Sequence, residues 1–511
     1  MKNKKFWLLL FPIVGLLDSA YLYYESLFQK LVPCPIHGFM VDCGKVLSSS
    51  YAHIFSIPLS LLGVFHYFLL IAWGTLFFST NRRIFGIFFL LESAIGFVFS
   101  GYLVFIMLGV LQAICLYCLL SAITSFSLAI LAYWFLSAER VALSAVITHS
   151  VYRFVRPLLF LTPSEPIHQV MTKIGNFLGS HAISRGLYRC FYRVEDPALK
   201  QTIAHIPFAN PIGLAAGFDY NAELPLFLPV LGFGSSTVGT ITNKAYEGNY
   251  PPRLGRLIRS KSLMVNKGFK NNGIKQIVKR MKKMPITTPV GMSIGQTNTL
   301  DLKTQKDAVS DIVEAFVTVE KAKLKLAYYE LNISCPNLKG NISFYPPKHL
   351  YELIAAVTKL NLSHPLFIKM PIEKTDEEVR TMLDVIVKFP VAGVIFGNLQ
   401  KNREDASLNK KEVAKYSVGY YSGKPTEKRS NELIRLAYRE QGKKLVIVGC
   451  GGIFNGKDAY KKIRLGASLV QLITGLIFEG PQLAAQINIE LLDLLKKDGF
   501  KNISEAVGVD A

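Results

Sequence analysis

At 511 residues the chain exceeds what one ordinary hydrophobic core organises, and its length suggests two to four units. Residues 1–140 carry 8 Lys+Arg against 5 Asp+Glu, whereas the remaining 371 carry 50 against 31, so nearly all of the net charge of +22 lies in the second part. An apolar, almost neutral segment followed by a strongly basic one excludes a single soluble globule. Nucleic acid is one partner for such charge, but beside segments that can enter a bilayer an anionic membrane surface fits better, and no nucleic-acid partner is expected.

In chain order, residues 6–28, 57–79, 84–110 and 111–137 form four apolar stretches, each long enough to cross ~30 Å of hydrocarbon. Four are too many for a cleaved leader. Lys2, Lys4 and Lys5 precede the first stretch, Arg82 and Arg83 join the second to the third, and Arg140 follows the fourth. The positive-inside rule makes these three places cytoplasmic. The loop after the first span and the 108–114 turn then face the other side, which in a bacterium-like cell is oxidising.

Cys34 and Cys43 fall in that outer loop, and Cys115 and Cys118 lie at the outer start of the fourth span. A Cys-x-x-Cys at a helix N-terminus suits thiol–disulfide exchange, because the macrodipole favours the thiolate of the first cysteine. Two pairs on the oxidising side weigh against inert core cysteines. Asp18, His66 and Glu92, also within spans, are candidates for function and equally for structural hydrogen bonding.

These residues resemble the vitamin K epoxide reductase family. The likeness rests on Cys34, the run from Asp42-Cys43-Gly44-Lys45 to Tyr51-Ala52, the Ile57-Pro58-Leu59-Ser60-Leu61-Leu62-Gly63 start of the second span, and Cys115-Leu-Tyr-Cys118. It implies that Cys34 and Cys43 shuttle electrons from a periplasmic thioredoxin-like thiol–disulfide protein to Cys115 and Cys118, which reduce a membrane quinone. Two features depart from the pattern: Cys34 and Cys43 enclose eight residues, and Ser56 stands where the bacterial family usually has Gly.

Residues 149–200 read as short amphipathic helices, with Phe154, Leu158, Leu159 and Phe160 beside Arg153 and Arg156. Such a segment suits a membrane interface or packing on the next domain. Beyond it, eight short apolar runs recur near 212–216, 232–240, 289–294, 327–333, 365–370, 391–397, 444–449 and 468–473. Helical patterns separate them, for example at 308–324, 375–388 and 429–441. Eight strand–helix alternations predict a (β/α)8 barrel with its site at the C-terminal strand ends.

The notable residues sit at those ends. Gly213-Leu-Ala-Ala-Gly217 lets backbone approach a flat ring, and Lys369 places a cation there. Gly449-Cys-Gly-Gly452 and Thr474-Gly475 follow the seventh and eighth strands, where such barrels bind phosphate. Asn332-Ile-Ser-Cys335-Pro-Asn337 supplies a thiol to take a proton and two amides to hold a polar ring, with Asn398 as a third.

Over about 150–490 the chain is similar to dihydroorotate dehydrogenase, in particular its membrane-associated, quinone-using class 2. The matches include Asn210 to Asp219, Gly239-Thr-Ile-Thr242, Pro252-Arg-Leu-Gly-Arg-Leu257, Gly268-Phe269, Asn332 to Asn337, Ser422-Gly-Lys-Pro425 and Gly466 to Gln471. The resemblance implies FMN held by Ala216, Gly217, Thr240, Asn332, Lys369, Gly423, Gly452 and Thr474. It implies a dihydropyrimidine-like substrate held by Asn332, Asn337, Asn398 and Phe269, with Cys335 taking the C5 proton as a hydride leaves C6 for the flavin. His168 and Arg256 match positions that contact quinone, and no metal is implied.

Several positions depart from the family. Class 2 enzymes usually carry Ser at the base, where this chain has Cys335. Tyr220 replaces a Lys that faces the substrate carboxylate, Val265 a substrate-side Asn and Leu399 a substrate-side Thr. Ser293, Gly397 and Ile473 replace a flavin-side Asn, a flavin-side Thr and a Tyr near flavin and quinone.

The expected architecture is therefore a membrane four-helix bundle over 1–140, a membrane-associated helical hood or linker over 141–200, and an FMN-binding (β/α)8 TIM barrel over 201–511. The bundle would span the inner (cytoplasmic) membrane, with the barrel cytoplasmic and the cysteine pairs outside. The leading reading is dihydroorotate oxidation coupled to quinone, beside a quinone-reducing, disulfide-forming module. An FMN enzyme with another substrate, or a silent barrel that anchors or regulates the thiol oxidase, are the alternatives.

Overall fold

The structure is a computed structural model that describes residues 2–28, 34–35, 40–340 and 342–511. The side chains of Lys2 and Lys4, part of the charge argument above, lie outside what it describes. The chain forms two compact units, residues 1–143 and 144–511.

The first unit consists of α1 (Lys2–Leu27), α2 (Leu59–Thr80), α3 (Arg83–Phe105) and α4 (Leu116–Phe135). Each carries a stretch long and apolar enough to cross a membrane. Their outward faces are apolar too: Leu17, Phe65, Phe68, Ile95, Val98 and Trp134 are exposed, which water would penalise and hydrocarbon tolerates. The inner seam is closed by Leu8, Tyr67, Leu70, Phe89, Leu128 and Ala132. The unit is membrane-associated.

The fourth span starts later than its hydropathy predicts. Residues 111–115 are not helical, and Cys115 is the N-cap of α4, its Sγ accepting from the Cys118 N–H at 3.4 Å. Hydropathy records only that these residues are apolar, whereas the helix starts where a cap satisfies its first N–H groups. Ser56 is explained by a two-residue hairpin between His53–Ile54 and Ile57–Pro58, in which Phe55 and Ser56 both have positive φ, 48° and 66°. Glycine takes that conformation without cost, the physical reason for its usual place there.

The second unit begins inside α5 (Ser137–Leu161), followed by α6 (Ser164–Ser180) and α7 (Ala182–Tyr192). Residues 149–161 thus belong to one long helix rather than a short one, and Pro157 lies within it. Within the unit this helix is anchored by Tyr152 Oη donating to Ile477 O (2.6 Å) and Arg156 to Phe478 O (2.7 Å). Phe160 packs edge-on against Phe478, while Phe154, Leu158 and Leu161 are exposed.

The barrel strands are β1 (Ile212–Leu214), β2 (Ser235–Ile241), β3 (Val290–Ile294), β4 (Tyr328–Asn332), β5 (Leu366–Met370), β6 (Gly393–Phe396), β7 (Val446–Cys450) and β8 (Leu469–Leu472). They pair in parallel and in sequence order, and β8 closes on β1, Val470 opposite Ile212. Helices between them bury apolar faces on the barrel, for example Ile312, Ala315, Phe316 and Val319 of the helix Gln305–Ala322. A three-stranded sheet of Leu254–Leu257, Ser262–Val265 and Tyr420–Tyr421 overlies the C-terminal strand ends.

Candidate active sites

All strands of the barrel except β3 deliver residues to one open cavity at their C-terminal ends. Its lining includes Ala216, Gly217, Thr240, Asn332, Lys369, Gly423, Gly452 and Thr474. Asn337, Asn398, Phe269, Cys335 and His168 line the same space. Arg256 does not: it donates to Phe160 O (3.1 Å) and Thr162 O (2.6 Å) and lies against the Phe160 ring, which ties down the end of α5.

A hydrogen-bonded string crosses the top of the barrel. Asn332 Nδ2 donates to Thr240 Oγ1 (2.8 Å), Thr240 and Ser293 share a bond of 2.8 Å, and Ser293 Oγ donates to Glu330 Oε1 (2.7 Å). Glu330 lies 3.8 Å from Lys369 Nζ, and both are buried. Sequence reasoning missed Glu330, although a carboxylate inside the apolar strand Tyr328-Tyr-Glu-Leu-Asn332 was a readable signal. Ser293, a departure from the family pattern, is the relay between Thr240 and that carboxylate.

The lining fits a flat ring with a phosphate tail. Ala215, Ala216 and Gly217 keep one wall free of long side chains, and the backbone at Gly452 has φ +71°, with Glu427 filling the space a side chain would need. Thr474 shares a 2.8 Å hydrogen bond with Ser422 beside Gly423, and Lys369 supplies a buried cation. These groups would hold FMN, with backbone and hydroxyls toward the phosphate and the lysine toward the ring.

On the substrate side, Ser334 donates through N–H (3.1 Å) and Oγ (2.9 Å) to Asn332 Oδ1, which fixes the amide that begins the Asn332–Asn337 loop. Asn398 Nδ2 donates to Ser334 O and Ser334 Oγ, and Asn337 Nδ2 to Val265 O (3.1 Å). The three asparagines are thereby oriented by backbone. Burial pushes the Cys335 thiol up to about 12. Asn266 does not stand in for the missing asparagine: it bonds Tyr250 O, Pro252 O and Asn249, away from the cavity. Val265, Leu399 and Tyr220 do face it.

The bundle holds a second site. Cys34 and Cys43 form a disulfide, Cα–Cα 5.4 Å, and Cys115 and Cys118 are free. A parallel bridge of Val41 with Ile114, with Asp42 N–H donating to Ile114 O (3.0 Å), draws the loop to the head of α4. Both pairs then share one apolar cluster with Met107. Behind Cys118 opens a cavity lined also by Asp18, Tyr67, His66 and Glu92. His66 Nδ1 and Glu92 Oε1 are 2.7 Å apart, while Asp18 Oδ2 and His66 Nε2 are buried without a partner among the described residues.

Fold and site together define a membrane-associated oxidoreductase, a redox-cysteine helix bundle joined to a (β/α)8 barrel. Residues 198–495 match the family model for dihydroorotate dehydrogenase, and residues 6–133 that of the vitamin K epoxide reductase family. The chain belongs to the dihydroorotate dehydrogenase family. Relatives named dihydroorotate dehydrogenase (quinone) include those of Sulfurimonas denitrificans (35% identical), Natronomonas pharaonis (34%) and Nocardia farcinica (32%). Each alignment covers 70% of this chain, and 99%, 99% and 97% of the respective relatives. The crystal structure of the Eimeria tenella enzyme in complex with ferulenol superposes with a TM-score of 0.61 at 29% identity, over 68% of this chain and 96% of that one.

Proposed function

We propose that the barrel is an FMN-dependent dihydroorotate dehydrogenase that passes electrons to membrane quinone. The observation that carries this is the convergence of Cys335 with the oriented amides of Asn332, Asn337 and Asn398 on a cavity that also contains Lys369. The amides bind the ring's N–H and C=O edge, and Cys335 removes a ring proton once its thiol is deprotonated. Bound FMN would accept the hydride equivalent. His168, its Nε2 3.0 Å from Phe218 O, and the exposed apolar faces of α5 to α7 support quinone entry from the bilayer side of this unit. Residues 141–200 act as the hood and 201–511 as the catalytic domain.

The bundle, by the same proposal, is a thiol oxidase. The Cys34–Cys43 disulfide accepts two electrons from the thiols of a periplasmic thioredoxin-like partner, and the resulting dithiol passes them to Cys115 and Cys118 once quinone has oxidised that pair to a disulfide. These reduce quinone in the cavity lined by Asp18, His66 and Glu92. Arg82, Arg83 and Arg140 support a barrel on the cytoplasmic side of the inner membrane and cysteine pairs outside.

The test is anaerobic addition of dihydroorotate to the purified full-length protein in detergent. A yellow protein that bleaches, and recovers colour with a soluble quinone, is the expected result. A yellow protein that dihydroorotate leaves unbleached would establish the second reading, a different ring substrate, which Val265 and Leu399 at the cavity wall favour. A colourless protein would leave the barrel as a silent anchor.

A further inference from the structure

Several cationic side chains lie in or beside the barrel cavity. Lys369 faces Glu330 at 3.8 Å; Lys270 and Arg253 both face Glu165, at 2.8 and 3.4 Å; and Arg256 is spent on backbone carbonyls. Lys267 is the exception. It is only 5% exposed and lines the cavity, and among the described residues its ammonium has no hydrogen-bond or ion-pair partner. It lies over the face of Tyr220, with Nζ 4.2 Å from the ring centroid. A buried ammonium without a direct counter-ion is costly and a ring face offsets only part of that cost.

The local chain explains the placement. Side chains alternate along the extended segment that continues Ser262–Val265, so Val265 and Lys267 point into the cavity while Asn266 points away to Tyr250 and Pro252. Val265 O also receives Asn337 Nδ2, which places this segment against the loop of substrate-binding amides. Tyr220, the position where a cation was missing, is the platform on which Lys267 rests.

Resting on the reading that the barrel oxidises dihydroorotate, we infer that Lys267, held on Tyr220, is the residue that recognises the substrate's carboxylate. An anion bound there would pair a charge that has no ion-pair partner among the described residues, and would make a charge-assisted hydrogen bond. Burial, reinforced by Lys270 and Arg253 and opposed by Glu165, lowers the Lys267 ammonium to about 7. A bound carboxylate favours the protonated form and so reverses that effect.

The experiment compares Lys267→Met and Lys267→Arg with the wild type in the full-length holoprotein. Three quantities are measured: half-saturation for flavin bleaching by dihydroorotate, the dissociation constant of orotate, and that of orotate methyl ester. A lost charge-assisted hydrogen bond corresponds to roughly a 10- to 100-fold weakening. Lys267→Met is expected to weaken dihydroorotate and orotate by that factor, with a much smaller change in the limiting bleaching rate and in ester binding. Lys267→Arg is expected to recover most of the loss. Where the wild type bleaches, equal weakening of acid and ester in Lys267→Met, or orotate binding that Lys267→Met leaves unchanged, overturns the assignment. If Lys267→Met does not retain flavin, the wild type decides: at least a tenfold preference for orotate over its ester is expected, and equal affinity overturns it. Failure of the wild type to bleach at all refutes the parent reading, and the carboxylate assignment falls with it.

Discussion

Asn332 Nδ2 donates to Thr240 Oγ1 over 2.8 Å, joining the end of β4 to the end of β2. Through Ser293 that bond reaches Glu330 and its partner Lys369, so a residue oriented for substrate and a buried ion pair belong to one polar network. Networks of this kind are costly to break at one point, because the low dielectric that strengthens each bond also penalises each orphan.

Lys369→Met should therefore act first on stability. Removing one partner of a buried ion pair costs roughly 3–5 kcal/mol, since Glu330 is left uncompensated. The Lys369→Met/Glu330→Gln double variant should recover much of the lost thermal midpoint without recovering tight FMN binding. A double variant as unstable as the single one would show that the pair is not the source of the cost.

Cys335, held up to about 12 by burial, is a neutral thiol at pH 7. If its thiolate takes the substrate proton, the limiting bleaching rate rises with pH across 6–10 without a plateau, because the thiolate fraction keeps growing below 12. Cys335→Ala should keep FMN yet slow bleaching by ~10²–10⁴, with that pH dependence gone. Stopped-flow reduction with the same substrate decides, and a rate untouched by Cys335→Ala removes this residue from the chemistry.

His168 is pulled down to about 4, chiefly by burial and then by the charge of Lys267. A histidine depressed in this way is neutral throughout pH 5–8, and it becomes charged only as pH falls through 4. Reoxidation of the bleached protein by quinone should accordingly show no inflection near 6.5. An inflection there that disappears in His168→Gln would mean that the imidazole titrates in the ordinary range.

In the bundle, Cys115→Ala or Cys118→Ala should abolish disulfide-forming activity and leave bound FMN unchanged, since the cysteines and the barrel cavity lie in separate compact units. After mild reduction of intact cells, an impermeant thiol reagent should label Cys34 and Cys43 ahead of Cys335 and Cys450. Preferential labelling of the barrel cysteines would invert the proposed sidedness.

Local periodicity and composition were enough to read the four apolar helices, the eight strands in order and the residues at their C-terminal ends. These features depend on side chains a few positions apart: 20 apolar residues span a bilayer, and a β-branched run bounded by glycine makes a buried strand. Cys115-Leu-Tyr-Cys118 was legible as a pair near the start of the fourth span, but the helix start at Cys115 itself was not, because hydropathy does not register a cap. Partnership was not legible. That Val41 would bridge Ile114 and carry Cys43 to Cys115, that Glu330 would face Lys369, and that Arg256 would be spent on α5 while Lys267 met no counter-ion among the described residues, all depend on residues far apart in sequence. Sequence alone determined which charges this protein carries, but only the closed barrel decided which of them were buried and which met a counter-ion, because burial and ion pairing are properties of the assembled neighbourhood.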